Sequence, residues 1–423
     1  MNSGTEHKVG SVTTEAVVTD WGSPDIAVVD WQSEEFHSGI ERAVAAVAPF
    51  QSGPGIVRSQ RGIEVVGYDA AAAIVRHNDF SLGMKARMDI IGIDGVATRE
   101  SFLNFLFSRD GAHHLRARRA CAPWFTSSSA DRMRTKVRSW ISDWLDAAES
   151  KATDFDFLWE IANKLPATLY CLIIGAPLTD AGLIQHLSEE CMLLSAPPLP
   201  GHRERLEVAA SRTKDYLLEL TQQRRENPGE DLLSFLVTAE SRGEIDETDI
   251  LAVAFNALVG STDTTAAQMC CNLEALAHNR DQWQLLRCEP ERVPHAVMEL
   301  MRYNPGAWSI TRSAKESLTY RGAQLTPDVT VFPLIFAANN DPTVFPDPRV
   351  LDVTRTHAKQ PLNFGAGVHG CLGRMFSLLE QEEVLRATLE RWESVEVVEA
   401  KFSGAMFFLV PEAFRVSFVP AAR

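Results

Sequence analysis

Near its carboxyl end the chain reads Asn363-Phe364-Gly365-Ala366-Gly367-Val368-His369-Gly370-Cys371-Leu372-Gly373-Arg374. The stretch is dense in glycine, which tolerates positive φ and lets the backbone approach a ligand closely. Apolar residues at helical spacing follow from Met375 onward, so we predict that Cys371 lies at the start of a helix. Amides at a helix start favour the thiolate form of a nearby cysteine, and a thiolate can bind a metal. The alternative is a glycine-rich turn around a buried cysteine.

This loop resembles the haem-binding signature of the cytochrome P-450 family, F-G-x-G-x-H-x-C-x-G, at every specified position. The resemblance implies a soluble, bacterial-type protein in which Cys371 is the axial ligand of a haem b iron. It also implies that Phe364 shields the sulfur and that His369 hydrogen-bonds a haem propionate. The other implied cofactor-binding positions of this loop are Gly365, Gly367 and Gly373. Thiolate ligation favours O–O bond cleavage, which suits oxygen activation rather than reversible oxygen carriage.

The apolar pattern along the chain is mostly helical. Spacing of three and four residues predicts helices at 132–150, 180–194, 203–225 and 246–277. Strand-like runs lie at 63–67, within 317–333, and at 406–410 and 414–418. The fold class is therefore mainly α with minor antiparallel β. The resemblance spans roughly Val65 to the carboxyl end and implies the cytochrome P-450 fold, with haem between a long central helix and the cysteine-bearing loop and helix.

Composition limits the class of protein. The 423 residues are 45% hydrophobic, and 56 acidic against 41 basic residues give a net charge of -15. That charge argues against a general binder of nucleic acid or anionic membrane. We expect a loosely ordered segment at 1–20, a single domain at 21–423, no membrane anchor and a cytoplasmic location, because no apolar stretch reaches the ~20 residues that span a bilayer. The seven cysteines include no C-x-x-C pair, which disfavours a disulfide framework or a zinc site.

The segment Ala257–Ala266 lies inside the predicted helix 246–277 and contains several poor helix formers. Hydroxyls that bond back to helix carbonyls can open a helix, and an acid beside an alcohol there can relay protons. Asp263 could instead be a buried residue paired with a distant arginine. The segment resembles the family's A-G-x-[DE]-T-T signature, which implies that Asp263 and Thr264 are the catalytic acid and alcohol. Gly260 and Ser261 depart from that signature, so the effect of Ser261 on the groove stays open.

Glu299 and Arg302 lie three residues apart on one predicted helix face, where they can form an ion pair. An ordinary surface pair has the same spacing. The two residues resemble the family's E-x-x-R helix, which implies a buried structural pair beneath the haem loop. Its third partner is an arginine near Phe345-Pro346, and both Arg349 and Arg355 qualify.

A second basic cluster precedes the middle of the chain. His114 and Arg118 are four residues apart on one face and resemble the family's H-x-x-x-R helix. Arg312 lies in a segment that resembles the strand supplying the other propionate arginine. Together with His369 these residues imply a clamp for two haem propionates. The alternative is a basic amphipathic surface helix.

Apolar clusters at four places together predict a cavity for a hydrophobic molecule, although a single cluster of this kind more often belongs to the core. The predicted pocket residues are Met88, Ile91, Leu193, Ala257, Gly260, Ala307, Trp308, Met406 and Phe407. Terpenoid, steroid, fatty-acyl and aromatic substrates all suit such a cavity.

The resemblance implies a haem monooxygenase that hydroxylates or epoxidises its substrate with O2. No region remains for a flavin or iron–sulfur domain, so we expect two electrons from NAD(P)H through a separate reductase and ferredoxin. Arg116, Arg119 and Arg374 predict a positive patch for an acidic ferredoxin. The alternatives are a peroxide-driven peroxygenase, against which Asp263-Thr264 argues, and a non-catalytic haem- or ligand-binding protein.

Overall fold

The computed structural model of the chain describes residues 26–195, 199–327, 329–403 and 407–422. The segment 1–20, which we expected to be loosely ordered, lies outside the described residues. Helices account for 58% of the structure, and the sheets are small. The predicted class, mainly α with a minor β component, is confirmed.

The elements follow one another along the chain without an internal repeat. The α-helices are α1 (Ile40–Val47), α2 (Tyr68–Arg76), α3 (Met84–Ile91), α4 (Val96–Leu103), α5 (Gly111–Cys121), α6 (Ser127–Glu149), α7 (Lys164–Ile174), α8 (Ala181–Met192), α9 (His202–Glu226), α10 (Leu232–Ser241), α11 (Glu247–Ser261), α12 (Asp263–His278), α13 (Arg280–Cys288), α14 (Val293–Tyr303), α15 (Ile335–Asn339) and α16 (Arg374–Arg391). The strands are β1 (Ile56–Ser59), β2 (Gly62–Val65), β3 (Phe80–Ser81), β4 (Asp154–Asp156), β5 (Arg312–Ala314), β6 (Leu318–Tyr320), β7 (Ala323–Leu325), β8 (Thr330–Pro333), β9 (Trp392–Ser403) and β10 (Val410–Pro420).

The strands form one five-stranded sheet in the order β1-β2-β8-β5-β3, one three-stranded sheet β4-β10-β9, and the hairpin β6-β7. Among these strands β2 and β8 pair in parallel, with Ile63 opposite Val331, and the other pairs are antiparallel. Gly62 has φ +144, and a Cβ there would lie 2.1 Å from the carbonyl oxygen of Thr330. Only glycine therefore fits where β2 meets β8.

The centre of the fold is the helix pair α11 and α12. Asp246 caps α11 by accepting a hydrogen bond from the amide of Asp249, whose carboxylate accepts one from the amide of Asp246 in return. The predicted helix 246–277 is interrupted at Thr262, where ψ is −77. Glu247–His278 is long and apolar enough to cross a membrane, yet 61% of its apolar window is buried inside the protein, as in the core helix of a soluble fold.

The carboxyl-terminal sheet was only partly predicted. The strand at 414–418 lies within β10, and Val410 begins β10, while Met406 lies outside the described residues. β9 was missed because its residues alternate weakly: Val395 is buried, whereas Glu396 to Ala400 face mostly outward. Its stability comes from pairing along the whole length of β10, which a local pattern does not reveal.

Candidate active site

One cavity of about 710 Å³ lies between the α11–α12 pair on one side and the loop before α16 on the other. Its wall is mostly apolar, with Phe105, Tyr170, Ile173, Phe332 and Phe408 among its members. It brings together many of the residues predicted from the sequence. The predicted residues on this wall are Cys371, Phe364, Gly365, Gly373, His114, Arg118, Arg312, His369, Thr264, Ala257, Gly260, Ala307 and Phe407.

The cysteine loop approaches the cavity in a compact turn. The amide of Cys371 donates to the carbonyl oxygen of Phe364 at 2.8 Å, and α16 begins shortly afterwards at Arg374. Gly365 has φ +59. Gly367 is not on the cavity wall; it has φ +70, and a Cβ there would lie 3.1 Å from Cα of Arg76 in α2, so its role is close packing.

Two opposing influences act on the thiol of Cys371. The backbone amides of Gly373 and Arg374 and the charges of Arg118 and Arg374 do lower the pKa of Cys371. Burial outweighs them and raises the pKa of this thiol above its ordinary value. A bound cation at the sulfur would supply the further stabilisation that the thiolate needs.

Basic side chains surround the cavity at the side of β5 and α5. Arg312 is 4% exposed, burial lowers its pKa to about 10, and its Nη1 donates to the carbonyl oxygen of Thr311 at 2.8 Å. Nη2 of Arg118 donates to the carbonyl oxygen of Gly370 at 2.6 Å. His369 contacts Oδ1 of Asp110 through Nε2 at 3.0 Å, while its buried Nδ1 has no hydrogen-bond partner among the described residues.

His114 lies on the cavity wall and contacts two backbone carbonyls. Its Nδ1 lies 2.8 Å from the carbonyl oxygen of Leu106, and its Nε2 lies 2.9 Å from that of Val368. Both ring nitrogens therefore face backbone carbonyls. His114 ties α5 to the cysteine loop and packs on the ring of His369, with 4.3 Å between the ring centroids.

These features fit a haem b group. A porphyrin iron needs one strong axial ligand, and Cys371 offers its sulfur to the cavity. Propionates need cationic or N–H partners in a partly buried site. Arg118, Arg312 and the unpartnered Nδ1 of His369 provide them on the same wall.

The acid and the alcohol of the central helix point in different directions. Thr264 lines the cavity, and its hydroxyl donates to the carbonyl oxygen of Gly260 at 3.1 Å. Asp263 does not line the cavity: its Oδ2 lies 3.3 Å from Oγ of Ser188 in α8. No arginine pairs with it among the described residues. Burial, followed by the charge of Glu189, raises the pKa of Asp263 to about 7.

Glu299 and Arg302 form a fully buried, two-pronged ion pair, with Nε–Oε2 at 2.7 Å and Nη2–Oε1 at 2.8 Å. Arg355 is the third partner, since its Nε donates to Oε1 of Glu299 at 3.1 Å. Arg349 instead contacts Glu41 near the surface.

Two asparagines connect this ion pair to the cysteine loop: Asn339 ends α15 and Asn363 lies in the loop itself, and neither was predicted from the sequence. Nη1 of Arg302 donates to the carbonyl oxygen of Asn339 at 3.1 Å. Nδ2 of Asn339 donates to Oδ1 of Asn363 at 2.7 Å, and Nδ2 of Asn363 donates to the carbonyl oxygen of Met301 at 2.8 Å. The Glu299–Arg302 pair therefore stands beneath the loop that carries Cys371.

Several predicted pocket residues lie elsewhere. Met88 is fully buried in the main core, because α3 turns Met84 and Arg87 toward the cavity instead. Leu193 is replaced on the wall by its neighbours Met192 and Leu194. Trp308 is buried against Phe336, with 4.8 Å between ring centroids. Met406 and the side chain of Ile91 lie outside what the structure describes.

Several polar residues on the cavity wall were not predicted from the sequence. Oδ1 of Asn256 accepts a hydrogen bond from the amide of Phe107 at 3.0 Å, and Asn256 could have been noticed as the one amide in an apolar run. Glu380 lies on the apolar face of α16, where burial raises its pKa well above the ordinary value. Arg87 donates from Nε to the carbonyl oxygen of Leu194 at 2.7 Å.

The predicted positive patch contains fewer unneutralised charges than expected. Arg116 forms ion pairs with two carboxylates, Asp246 at 2.8 Å and Asp249 at 2.7 Å. Arg119 and Arg374 are exposed, and the guanidinium of Arg374 lies 5.3 Å from the ring centroid of Phe364.

Comparison with known proteins agrees with this geometry. The family model described as cytochrome P450 matches residues 97–416. Luteothin monooxygenase of Streptomyces thioluteus is 30% identical over 346 residues, which cover 81% of this chain and 84% of that protein. 6-Deoxyerythronolide B hydroxylase of Saccharopolyspora erythraea is 28% identical over 88% of this chain and 93% of its own length. The crystal structure of CalO2, 22% identical, superposes with a TM-score of 0.86 over 94% of this chain and 100% of that one.

Proposed function

The chain belongs to the cytochrome P450 family and is a P450 monooxygenase, and we propose that it hydroxylates or epoxidises a hydrophobic small molecule with O2. A single observation carries the proposal. One largely apolar cavity presents the sulfur of Cys371 on one wall and the hydroxyl of Thr264 on another. A substrate in this cavity is therefore held next to the reacting centre and away from bulk water.

Haem b would be held through the sulfur of Cys371 and would supply the oxygen-activating chemistry of a thiolate-ligated iron. Arg118, Arg312 and His369 would hold its propionates, and Phe364 would shield the sulfur. His114 fixes the loop through Val368. Each of these residues would bind the haem or orient the loop that holds it.

Asp263 and Thr264 move protons. The pKa of Asp263 is raised to about 7, so this acid can both take up and release a proton at neutral pH. Thr264 holds its hydroxyl in the cavity, one residue farther along, where it can pass a proton or fix a water. Ser261 also lines the cavity, and its hydroxyl donates to the carbonyl oxygen of Leu258 at 3.3 Å.

The substrate is a hydrophobic secondary metabolite. Ala257, Gly260, Ala307 and Phe407 shape the apolar wall, which suits terpenoid, steroid, fatty-acyl or aromatic skeletons. Luteothin monooxygenase and 6-deoxyerythronolide B hydroxylase support an assignment to secondary metabolism. Asn256 offers one amide for orienting a polar group of the substrate.

The two electrons come from NAD(P)H in the cytoplasm, through a separate reductase and ferredoxin. Support comes from the bacterial relatives, which as a group use external redox partners. The ferredoxin docks where Arg119 and Arg374 are exposed, close to the cysteine loop.

The test is a screen of small hydrophobic molecules by haem absorbance, in which a low-spin to high-spin shift marks a ligand. That ligand is then incubated with a ferredoxin, its reductase, NAD(P)H and isotopically labelled O2. We expect one labelled oxygen atom in the product. Equal turnover with hydrogen peroxide alone would make the protein a peroxygenase, and binding without oxygen consumption would make it a ligand-binding protein.

A further inference from the structure

A buried hydroxyl on α8 contacts the junction between α11 and α12. Ser188 is 0% exposed, and its hydroxyl forms a very short hydrogen bond with Oγ1 of Thr262. The same hydroxyl is 3.3 Å from Oδ2 of Asp263 and 3.5 Å from the carbonyl oxygen of Leu258. Ser188 therefore reaches the acid, the junction residue and the last turn of α11 at once.

The same face of α8 also forms part of the cavity wall. Cys191 and Met192 follow Ser188 by three and four residues, so the three side chains share one helix face. Cys191 and Met192 line the cavity, and Ser188 lies one turn behind them. A molecule that presses on Cys191 and Met192 thus presses on the helix that holds Asp263.

We propose that Ser188 is a positioning residue that couples the orientation of Asp263 to the occupancy of the cavity. Its hydroxyl holds the carboxyl toward α8, and a bulky ligand that displaces α8 loosens this contact and frees the acid to turn toward Thr264. Proton supply would then increase only when a substrate of sufficient size fills the cavity. This proposal rests on the proposed function, because it assigns Asp263 to proton delivery.

The electrostatics of the site agree with a positional role. The hydrogen bonds of Ser188 and Thr262 each lower the pKa of Asp263, while burial and the charge of Glu189 raise it. Cys191 of α8 senses the charge of Asp263, and burial raises the pKa of its thiol to about 12, so it stays neutral. From α9, Thr213 meets Cys191 at 3.9 Å and does not titrate.

The test measures the protonated-carboxyl infrared band of Asp263 in the ferric holoprotein, identified by its loss in Asp263→Asn. We expect its titration midpoint to rise by about one pH unit in Ser188→Ala, because a hydrogen bond to the charged form is lost. Ser188→Thr, which keeps the hydroxyl, should titrate like the wild type. Thr213→Val, which removes a comparable buried hydroxyl between α8 and α9, is the matched control and should also be unchanged.

The effect of a cavity ligand on the titration midpoint of Asp263 is measured with the same infrared band. Clotrimazole, a bulky azole, should raise the midpoint in the wild type and have no further effect in Ser188→Ala, whereas imidazole should change neither. An unchanged midpoint in Ser188→Ala, or an equal clotrimazole effect in both proteins, would overturn the proposal. If Ser188→Ala does not fold, equal effects of clotrimazole and imidazole on the wild type would overturn it. None of these measurements requires turnover, whereas failure of the proposed function would appear as a missing thiolate-type carbon monoxide spectrum.

Discussion

Asp263 and Thr264, the two residues of the proposed proton relay, lie in different environments. Asp263 is the first residue of α12 and faces Ser188, whereas Thr264 faces the cavity. Adjacent residues do not share a helix face, so the two side chains diverge, and the hydroxyl of Thr264 bonds back to the carbonyl of Gly260, four residues earlier. The acid can therefore exchange protons on the α8 side, and the alcohol can deliver them inside.

Removal of the Thr264 hydroxyl should separate electron flow from product formation. We predict that Thr264→Ala binds haem, substrate and oxygen normally, and that it forms product about 10²–10⁴-fold more slowly because a positioned proton relay is lost. Electrons should still be drawn and released as hydrogen peroxide. The measurement is product and peroxide per NAD(P)H consumed. Ser261→Ala is the control and should stay coupled; full coupling in Thr264→Ala would show that another hydroxyl does this work.

The raised pKa of Asp263 gives turnover a distinctive pH dependence. Because the folded-state pKa is about 7, the protonated donor is abundant below that value and is depleted as the pH rises through it. We predict that turnover falls as the pH rises above about 7, since substrate that fills the cavity moves the midpoint upward, and that Asp263→Asn is slower and lacks this inflection. The measurement is the initial rate of product formation at a series of pH values around neutrality, with saturating ferredoxin. The same inflection in Asp263→Asn would assign it to another group.

At the scale of elements, the sequence predicted what is local and missed what is long-range. The four helical patterns correspond to α6, α8, α9 and the α11–α12 pair, because apolar spacing reports burial of one helix face directly. The cysteine loop was found because its glycines and its cysteine carry a specific spacing. β9, the Asn339–Asn363 contact and the choice of Arg355 over Arg349 depend on segments that meet only after folding.

The buried ion pair of α14 supports the cysteine loop, so its loss should affect both stability and haem retention. Removing Glu299 leaves the guanidinium of Arg302 buried and unpaired, at a cost of roughly 3–5 kcal/mol. We predict that Glu299→Ala gives little soluble, haem-loaded protein. Glu41→Ala, which removes the exposed partner of Arg349, is the control and should stay within about 1 kcal/mol of the wild type. For each variant, chemical denaturation measures the stability and absorbance measures the haem content. A Glu299→Ala protein that is fully loaded with haem and as stable as the wild type would contradict the structural role of the pair.

At the scale of the whole molecule, the proposed docking of an acidic ferredoxin on a chain of net charge -15 requires a local positive region. Arg116 contributes less than the sequence suggested, since Asp246 and Asp249 neutralise it. Arg119 and Arg374 remain exposed near the cysteine loop. The surface that receives electrons is thus expected to be small and sensitive to salt.

Charge reversal tests that surface. We predict that Arg119→Glu with Arg374→Glu lowers the rate of reduction by ferredoxin about tenfold at low ionic strength, and that added salt removes much of the difference. Arg280→Glu is the control, because Arg280 pairs with Glu396 beyond the far end of α16. Stopped-flow reduction at several salt concentrations is the measurement. Equal rates for all three proteins at every salt concentration would exclude this face.

The most direct test of the central claim concerns the ligand of the haem iron. The measurement is the absorbance of the reduced, carbon monoxide-bound protein. We predict the long-wavelength Soret band that is typical of thiolate ligation, its retention in Cys288→Ala, where an exposed cysteine is removed, and its loss in Cys371→Ala. Persistence of that band in Cys371→Ala would contradict the assignment of Cys371 as the ligand.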